Sequence, residues 1–184
     1  MRSVDNSPVN AAIIDREDAG AGIMAQWFKA GEAGAMPGAK EFLDAVDALG
    51  VGIFYVTNRA ESTRADTMRN MKALKFPQVE DVHVILKSDE SSKDSRFSRI
   101  AADYHVVVYL GDSAHDFPME IYYKGKDERN AITDANKSLF GRKYIVLPNP
   151  VYGLWMWSIA DGYDKMSPAE QHKAKTDALR IWKK

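Results

Sequence analysis

The chain has 184 residues, is 45% hydrophobic and 28% charged, and carries a formal net charge of −1 from 25 basic and 26 acidic side chains. That is material for one domain with an ordinary core, and it lacks the basic field that would draw a nucleic-acid polymer or an anionic membrane. The sequence has no cysteine, which excludes disulfides and thiolate zinc sites, and no apolar run of membrane-spanning length. No basic stretch followed by an apolar one marks a signal peptide at the N-terminus. In chain order, Arg2-Ser3-Val4-Asp5-Asn6-Ser7-Pro8 reads as a loop of turn formers, with no strand before it. Residues 18–32 carry Ile23, Met24, Trp27 and Phe28 at helical spacing, and 9–35 reads as a helical, cap-like segment of a single domain spanning 1–184. Gly34 to Gly38 breaks the chain. Ala39 to Leu49 is a predicted helix with Phe42, Ala45, Val46 and Leu49 on its apolar face and Gly50 as its stop.

Val51 to Val56 is the first convincing strand and ends in Thr57-Asn58-Arg59. A helix follows over about 61–75, with Ala65, Met68, Met71 and Leu74 as a stripe better suited to a core than to a cofactor. Val82 to Leu86 is a second strand. It leads to a serine-rich loop carrying Lys93 and then a helix over 96–102. Val106 to Leu110 is short, β-branched and bounded by polar residues, so it reads as a buried strand ending at Gly111, Asp112 and, four residues on, Asp116. A helix over 127–140, with Ala131, Ile132, Ala135 and Leu139 on one side, precedes a fourth strand, Lys143 to Leu147. An aromatic segment with Tyr152, Trp155 and Trp157 comes next. The last helix opens on Ser167-Pro168-Ala169-Glu170, a capping box with proline at the first helical position, and is predicted to bury Ala174, Ala178, Ile181 and Trp182. Strands alternating with helices predict right-handed βαβ units and a parallel, Rossmann-like α/β sheet.

Ligands in such sheets bind beyond the carboxyl ends of the strands. Three successive strands place Thr57, Lys93 and the pair Asp112 and Asp116 there. A hydroxyl and an ammonium suit phosphate oxygens, and two carboxylates suit a hard cation such as Mg2+ that keeps several waters. Together they make a reasonable kit for phosphoryl transfer. Taken singly, each has a plainer reading: Thr57 as a helix N-cap, Lys93 as one solvated lysine among many, Asp112 as a turn former.

The order of these residues resembles the haloacid-dehalogenase superfamily of aspartate-nucleophile phosphatases, and within it the class C acid phosphatases, the lipoprotein acid phosphatase and 5′-nucleotidase group. Val4-Asp5-Asn6-Ser7-Pro8 is similar to that family's LDNSP, Ala35-Met36-Pro37-Gly38-Ala39 to its AVPGA, and Phe54-Tyr55-Val56-Thr57-Asn58-Arg59 matches FYVTNR. Ser92-Lys93 with Arg96 resembles its phosphate-lysine segment, and Gly111-Asp112 with Asp116-Phe117 its GD-x-x-x-D-F. Leu147-Pro148-Asn149 with Tyr152-Gly153 and Trp155 resembles LPN-x-x-YG-x-W. The resemblance implies a three-layer α/β sandwich with added helices and Mg2+-dependent hydrolysis of small phosphomonoesters, nucleoside monophosphates included. Thr57 and Lys93 would bind the transferring phosphate and Asn58 would support that loop. Asp112 would be a metal ligand and Asp116 a ligand or a residue behind one. Tyr152, with Trp27 near it, would wall a slot for the substrate's ring. The implied setting is the bacterial periplasm or an outer-membrane lipoprotein; a homo-oligomer stays open.

In that family an Asp-x-Asp, the nucleophile and the general acid on a central strand, stands just before LDNSP, a place that here falls before Met1. Asp5 and Asp15 lie in segments with no preceding strand to place them. A covalent aspartyl-phosphate route needs that carboxylate. The resemblance therefore implies a chain lacking its central strand, with little or no turnover by itself, weakened metal binding, and edges on the two neighbouring strands open to another strand. The alternative is a catalytically dead phosphate- or nucleotide-binding module. A receiver-like domain is disfavoured because Thr57 and Lys93 precede Asp112, and a zinc enzyme because His83, His105, His115 and His172 show no ligand spacing.

Overall fold

The protein is described by a computed structural model covering residues 3–13, 20–149 and 154–179. It divides into two compact units, Met1–Arg99 and Ile100–Lys184, with the division falling inside one helix, Asp94–Asp103.

In the first unit, helices α1 (Ser7–Ile13), α2 (Gly20–Ala30) and α3 (Ala39–Ala48) precede strand β1 (Tyr55–Ala60). Helix α4 (Arg64–Ala73), strand β2 (Val84–Lys87) and the start of α5 (Asp94–Asp103) follow. The two strands pair in parallel, Tyr55 with Val84 and Val56 with Ile85, and the register shifts before Ala60 meets Lys87. Alternation along β1 buries Tyr55, Thr57 and Arg59 on one face. The core gathers Val4, Leu43, Ile53, Tyr55, Met71, Phe76, Val84 and Leu86. Met71 and Val84 are fully covered, each contributing about 1.5–3 kcal/mol by burial. Met71 lies in the predicted methionine stripe, with Met68 and Leu74 packed beside it.

Several expectations are corrected here. The first strand is shifted toward the C-terminus, from 51–56 to Tyr55–Ala60. The cause is side-chain competition for the preceding backbone. The Gln78 carboxamide accepts from the Ile53 amide (2.8 Å) and donates to the Val51 carbonyl (3.0 Å), while His83 Nδ1 lies 2.8 Å from the Ile53 carbonyl. Thr57 and Asn58 therefore sit inside the strand, not beyond it. The stretch read as a loop around Ser7 is a helix. Asp5 accepts from both the amide (2.8 Å) and the hydroxyl (3.0 Å) of Ser7, a helix-start arrangement with Pro8 in the first turn. Helix α3 turns Leu43 and Val46 inward, whereas Phe42 is 41% and Leu49 79% exposed. On α4, Ala65 faces solvent, and Thr67 and Asn70 are buried instead. Asn70 donates to the Ala33 carbonyl at 2.9 Å.

In the second unit, strand β3 (Tyr109–Gly111), helix α6 (Lys126–Ala135), strand β4 (Tyr144–Val146) and helix α7 (Pro168–Asp177) follow in order. Strands β3 and β4 pair in parallel, Tyr109 with Tyr144, Leu110 with Ile145 and Gly111 with Val146. Phe117, Met119, Ile121 and Tyr144 form the core, with Ile132, Leu139 and Phe140 against it. The predicted buried strand over 106–110 is shorter and less buried than expected: Val107 is 57% and Leu110 40% exposed. A three-residue partner strand offers Val106 to Val108 no ladder. The helix predicted over 127–140 ends at Ala135 because the Asn136 side chain donates to the Ile132 carbonyl at 2.9 Å. A 3-10 turn, Lys137–Leu139, completes it. Ala131 and Ala135 face solvent. The capping box at Ser167 and Glu170 forms, but α7 buries no side chain, and Ala178 is exposed. Ile181 and Trp182 lie outside the described residues. No described helix is long and apolar enough to cross a membrane. Among the described residues the strands form two two-stranded parallel sheets.

Candidate functional site

In the first unit, Thr57 occupies the buried face of β1, and its Oγ1 accepts from the Arg59 amide at 3.2 Å. It caps no helix; the turn before α4 starts from Ala60. Asn58 donates through Nδ2 to the Ser91 carbonyl at 2.8 Å. The group that binds this corner together is Arg96, on the first turn of α5. Its guanidinium donates to the Thr57 carbonyl (2.7 Å), to Asn58 Oδ1 (2.7 Å) and to the Ser92 carbonyl (2.8 Å). One planar, always charged fork thus joins the strand bearing Thr57 to the turn bearing Lys93, and it is itself buried. Ser92 and Lys93 are buried with it, and Ser92 Oγ donates to Asp94 Oδ2 at 2.6 Å, closing the turn at the helix start. In the sequence, Arg96 is marked only as the last residue of the Ser92-Lys93 motif. The signal was its place three residues after Lys93, on the first turn of the helix that Lys93 precedes.

Arg59 performs a similar duty on the neighbouring position of β1. Its guanidinium lies 4.2 Å from the centre of the Phe28 ring and donates to Asn6 Oδ1 (3.3 Å) and Thr67 Oγ1 (3.4 Å). The same Asn6 oxygen accepts from the Trp27 indole N–H at 3.0 Å, and the Trp27 ring packs against the core of this unit. Tyr152 lies outside the described residues.

In the second unit, Gly111 ends β3 and the acidic turn follows. Asp116 folds back over the turn: its Oδ2 accepts from the amides of Asp112 (3.0 Å) and Ser113 (3.2 Å). This fold-back needs glycine at 111. A Cβ there would stand 2.0 Å from the Asp116 Cβ and 2.6 Å from its Cγ. Asp112 accepts from Asn149 Nδ2 at 2.6 Å, which ties the turn to the segment after β4. Both carboxylates are half-buried. Among the described residues no group of three or more His, Cys, Asp or Glu gathers as a metal site. The buried Arg129 is a further cation in this unit, its pKa pulled down by burial. The sequence offered no signal for Arg129 or His115, because nothing in their spacing separates them from surface residues.

In the first unit the Arg96 fork holds the strand bearing Thr57 to the turn bearing Lys93, and in the second Asp112 and Asp116 share one hydrogen-bonded turn.

Comparison with known proteins gives the family. Residues 22–155 match the family described as HAD superfamily, subfamily IIIB (acid phosphatase). The fold is similar to the class C acid phosphatase from Bacillus anthracis, with a TM-score of 0.92 and 30% identity over 98% of this chain and 76% of that one. The same enzyme with tungstate bound matches with a TM-score of 0.91 and 31% identity, over the same shares of the two chains. A mixed helix and parallel-strand fold of this HAD-like form, matched by its family over 22–155, means that the chain belongs to the HAD superfamily subfamily IIIB, the acid phosphatases.

Proposed function

We propose that this chain carries the phosphate-holding and cation-holding groups of a phosphomonoester hydrolase, with Thr57 and Lys93 on the phosphate and Asp112 on Mg2+. The observation that supports this most is the Arg96 fork, which sets the Thr57 and Lys93 segments side by side before any ligand arrives. The Bacillus anthracis relative binds tungstate, a tetrahedral oxyanion. An anion of that shape is what a hydroxyl and an ammonium would hold here.

The acidic turn fits part of an Mg2+ shell. Two oxygen-bearing side chains on a hydrogen-bonded turn suit a cation that keeps several waters and takes substrate oxygens as further ligands. Asp112 is the ligand in this reading. Asp116, with one oxygen given to two amides, shapes the turn from behind. Held there, Mg2+ would supply positive charge for oxygen ligands. By the family resemblance, Tyr152 would stack on the ring of an aromatic or nucleoside monophosphate, while Trp27 packs against the core of the first unit.

The sequence contains no Asp-x-Asp. That favours a second reading for these 184 residues, in which they bind a phosphate ester without turning it over. Titration with tungstate or phosphate by calorimetry, beside an assay with p-nitrophenyl phosphate and Mg2+, separates the two readings. The expected result is oxyanion binding that weakens about 10- to 100-fold in Thr57→Ala and Lys93→Ala, the loss of a hydrogen bond to a charged group, with little turnover. Turnover abolished by Thr57→Ala or Asp112→Asn would establish the hydrolase within these residues. No oxyanion binding would overturn both readings.

A further inference from the structure

Ser113 and His115 look at first like a nucleophile beside its base. Ser113 Oγ lies 2.9 Å from His115 Nδ1 in the turn that carries Asp112 and Asp116. The other ring nitrogen decides against that reading. Nε2 faces Arg129 Nη1 at 2.9 Å, and both residues are buried. A guanidinium has only donors and keeps its proton, so the nitrogen facing it must offer its lone pair. The single imidazole proton is then on Nδ1, where it is donated to Ser113 Oγ. The pair is wired in the direction opposite to a base taking a serine proton. The arrangement is held from other sides too. Arg129 Nη1 also donates to the Ile121 carbonyl at 3.3 Å, and the Tyr122 ring meets the imidazole edge-on, 5.0 Å between centres. Arg129 stands in the first turn of α6, where the Thr133 hydroxyl donates back to its carbonyl at 2.9 Å.

We propose that Arg129 and His115 are positioning residues for the acidic turn: Arg129 selects the Nδ1–H tautomer of His115, and His115 in turn holds Ser113 so that Asp112 and Asp116 keep one geometry. The inference rests on the reading of that turn as a cation site, because it assigns these residues the task of presenting the site's carboxylates. Residues behind a metal ligand typically alter metal affinity about 10- to 100-fold when replaced.

The test has three readouts on the full chain. Nitrogen-15 NMR of the parent at neutral pH is expected to show His115 protonated at Nδ1 and bare at Nε2. A protonated Nε2 would overturn the proposal without any variant. In folded Arg129→Met, amide exchange at Asp112 and Ser113 is expected to accelerate about tenfold or more and Mn2+ affinity to fall about tenfold. Arg129→Lys, which keeps a donor for Nε2, is expected to recover part of both. A merely structural role would lower the melting temperature in both variants while leaving the tautomer, the exchange at these two amides and the affinity as in the parent, and that outcome overturns the proposal. If the parent binds no divalent ion, the cation reading fails by itself, and the tautomer and exchange data still decide the positioning role.

Discussion

At the scale of single residues, the acidic turn depends on what is missing at position 111. Asp116 occupies the space a side chain would need, and its carboxylate there takes the amides of Asp112 and Ser113. Gly111→Ala is expected to force this turn open, destabilising the unit by about 1–3 kcal/mol, the usual cost of overpacking. The same variant should lose divalent-ion affinity. Denaturant melts and Mn2+ titration check it; a variant as stable as the parent with unchanged affinity would mean that the turn adapts and that the fold-back does not govern it. Lys93, Asp112 and Asp116 were legible as residue types placed after strands, whereas Thr57 lies inside β1 and not beyond it. Arg96, Asn149 and Arg129 were not legible in role. Their function lies in which carbonyls and side chains they reach across the fold, 38 and 39 positions away for Arg96 and 37 for Asn149.

At the scale of elements, helix α7 shows how far local chemistry reaches. The Ser167 hydroxyl and amide hold Glu170, and those bonds keep its carboxyl below the ordinary 4.5. A carboxylate whose folded pKa is depressed contributes stability that is present above its unfolded value and lost as pH falls through the folded one. The first turn of α7 is therefore expected to fray between pH 4.5 and the lower folded value, and Ser167→Ala to weaken it at neutral pH by about 1 kcal/mol. Carbon-13 shifts of residues 168–171 followed from pH 7 to 3 report this; shifts that stay flat through that window would remove the box from the helix's stability. Strand limits were less legible than helix starts. Alternating and β-branched residues say that a strand is near, but Gln78 and His83 decide where the β1 ladder begins by taking the backbone groups ahead of it.

At the scale of the whole molecule, composition carries its own prediction. With a net charge of −1 and no basic field, the chain is expected to show no retention of duplex DNA at 150 mM salt. Gel-shift assays at micromolar protein check it, and binding that falls steeply with salt would reveal a basic face that the composition hides. Class, the alternation of strands and helices from β1 onward, and the capping box were determined by the sequence alone, because periodicity and turn chemistry are local properties. Which face of α3 turns inward, where β1 starts, how the strands pair into two parallel sheets, and which buried arginines hold the site's backbone were decided only by the tertiary structure. The physical reason is common to all of these. A 3.6-residue period leaves more than one apolar stripe open, and a backbone amide or a buried guanidinium takes whichever acceptor the folded chain brings within about 3 Å.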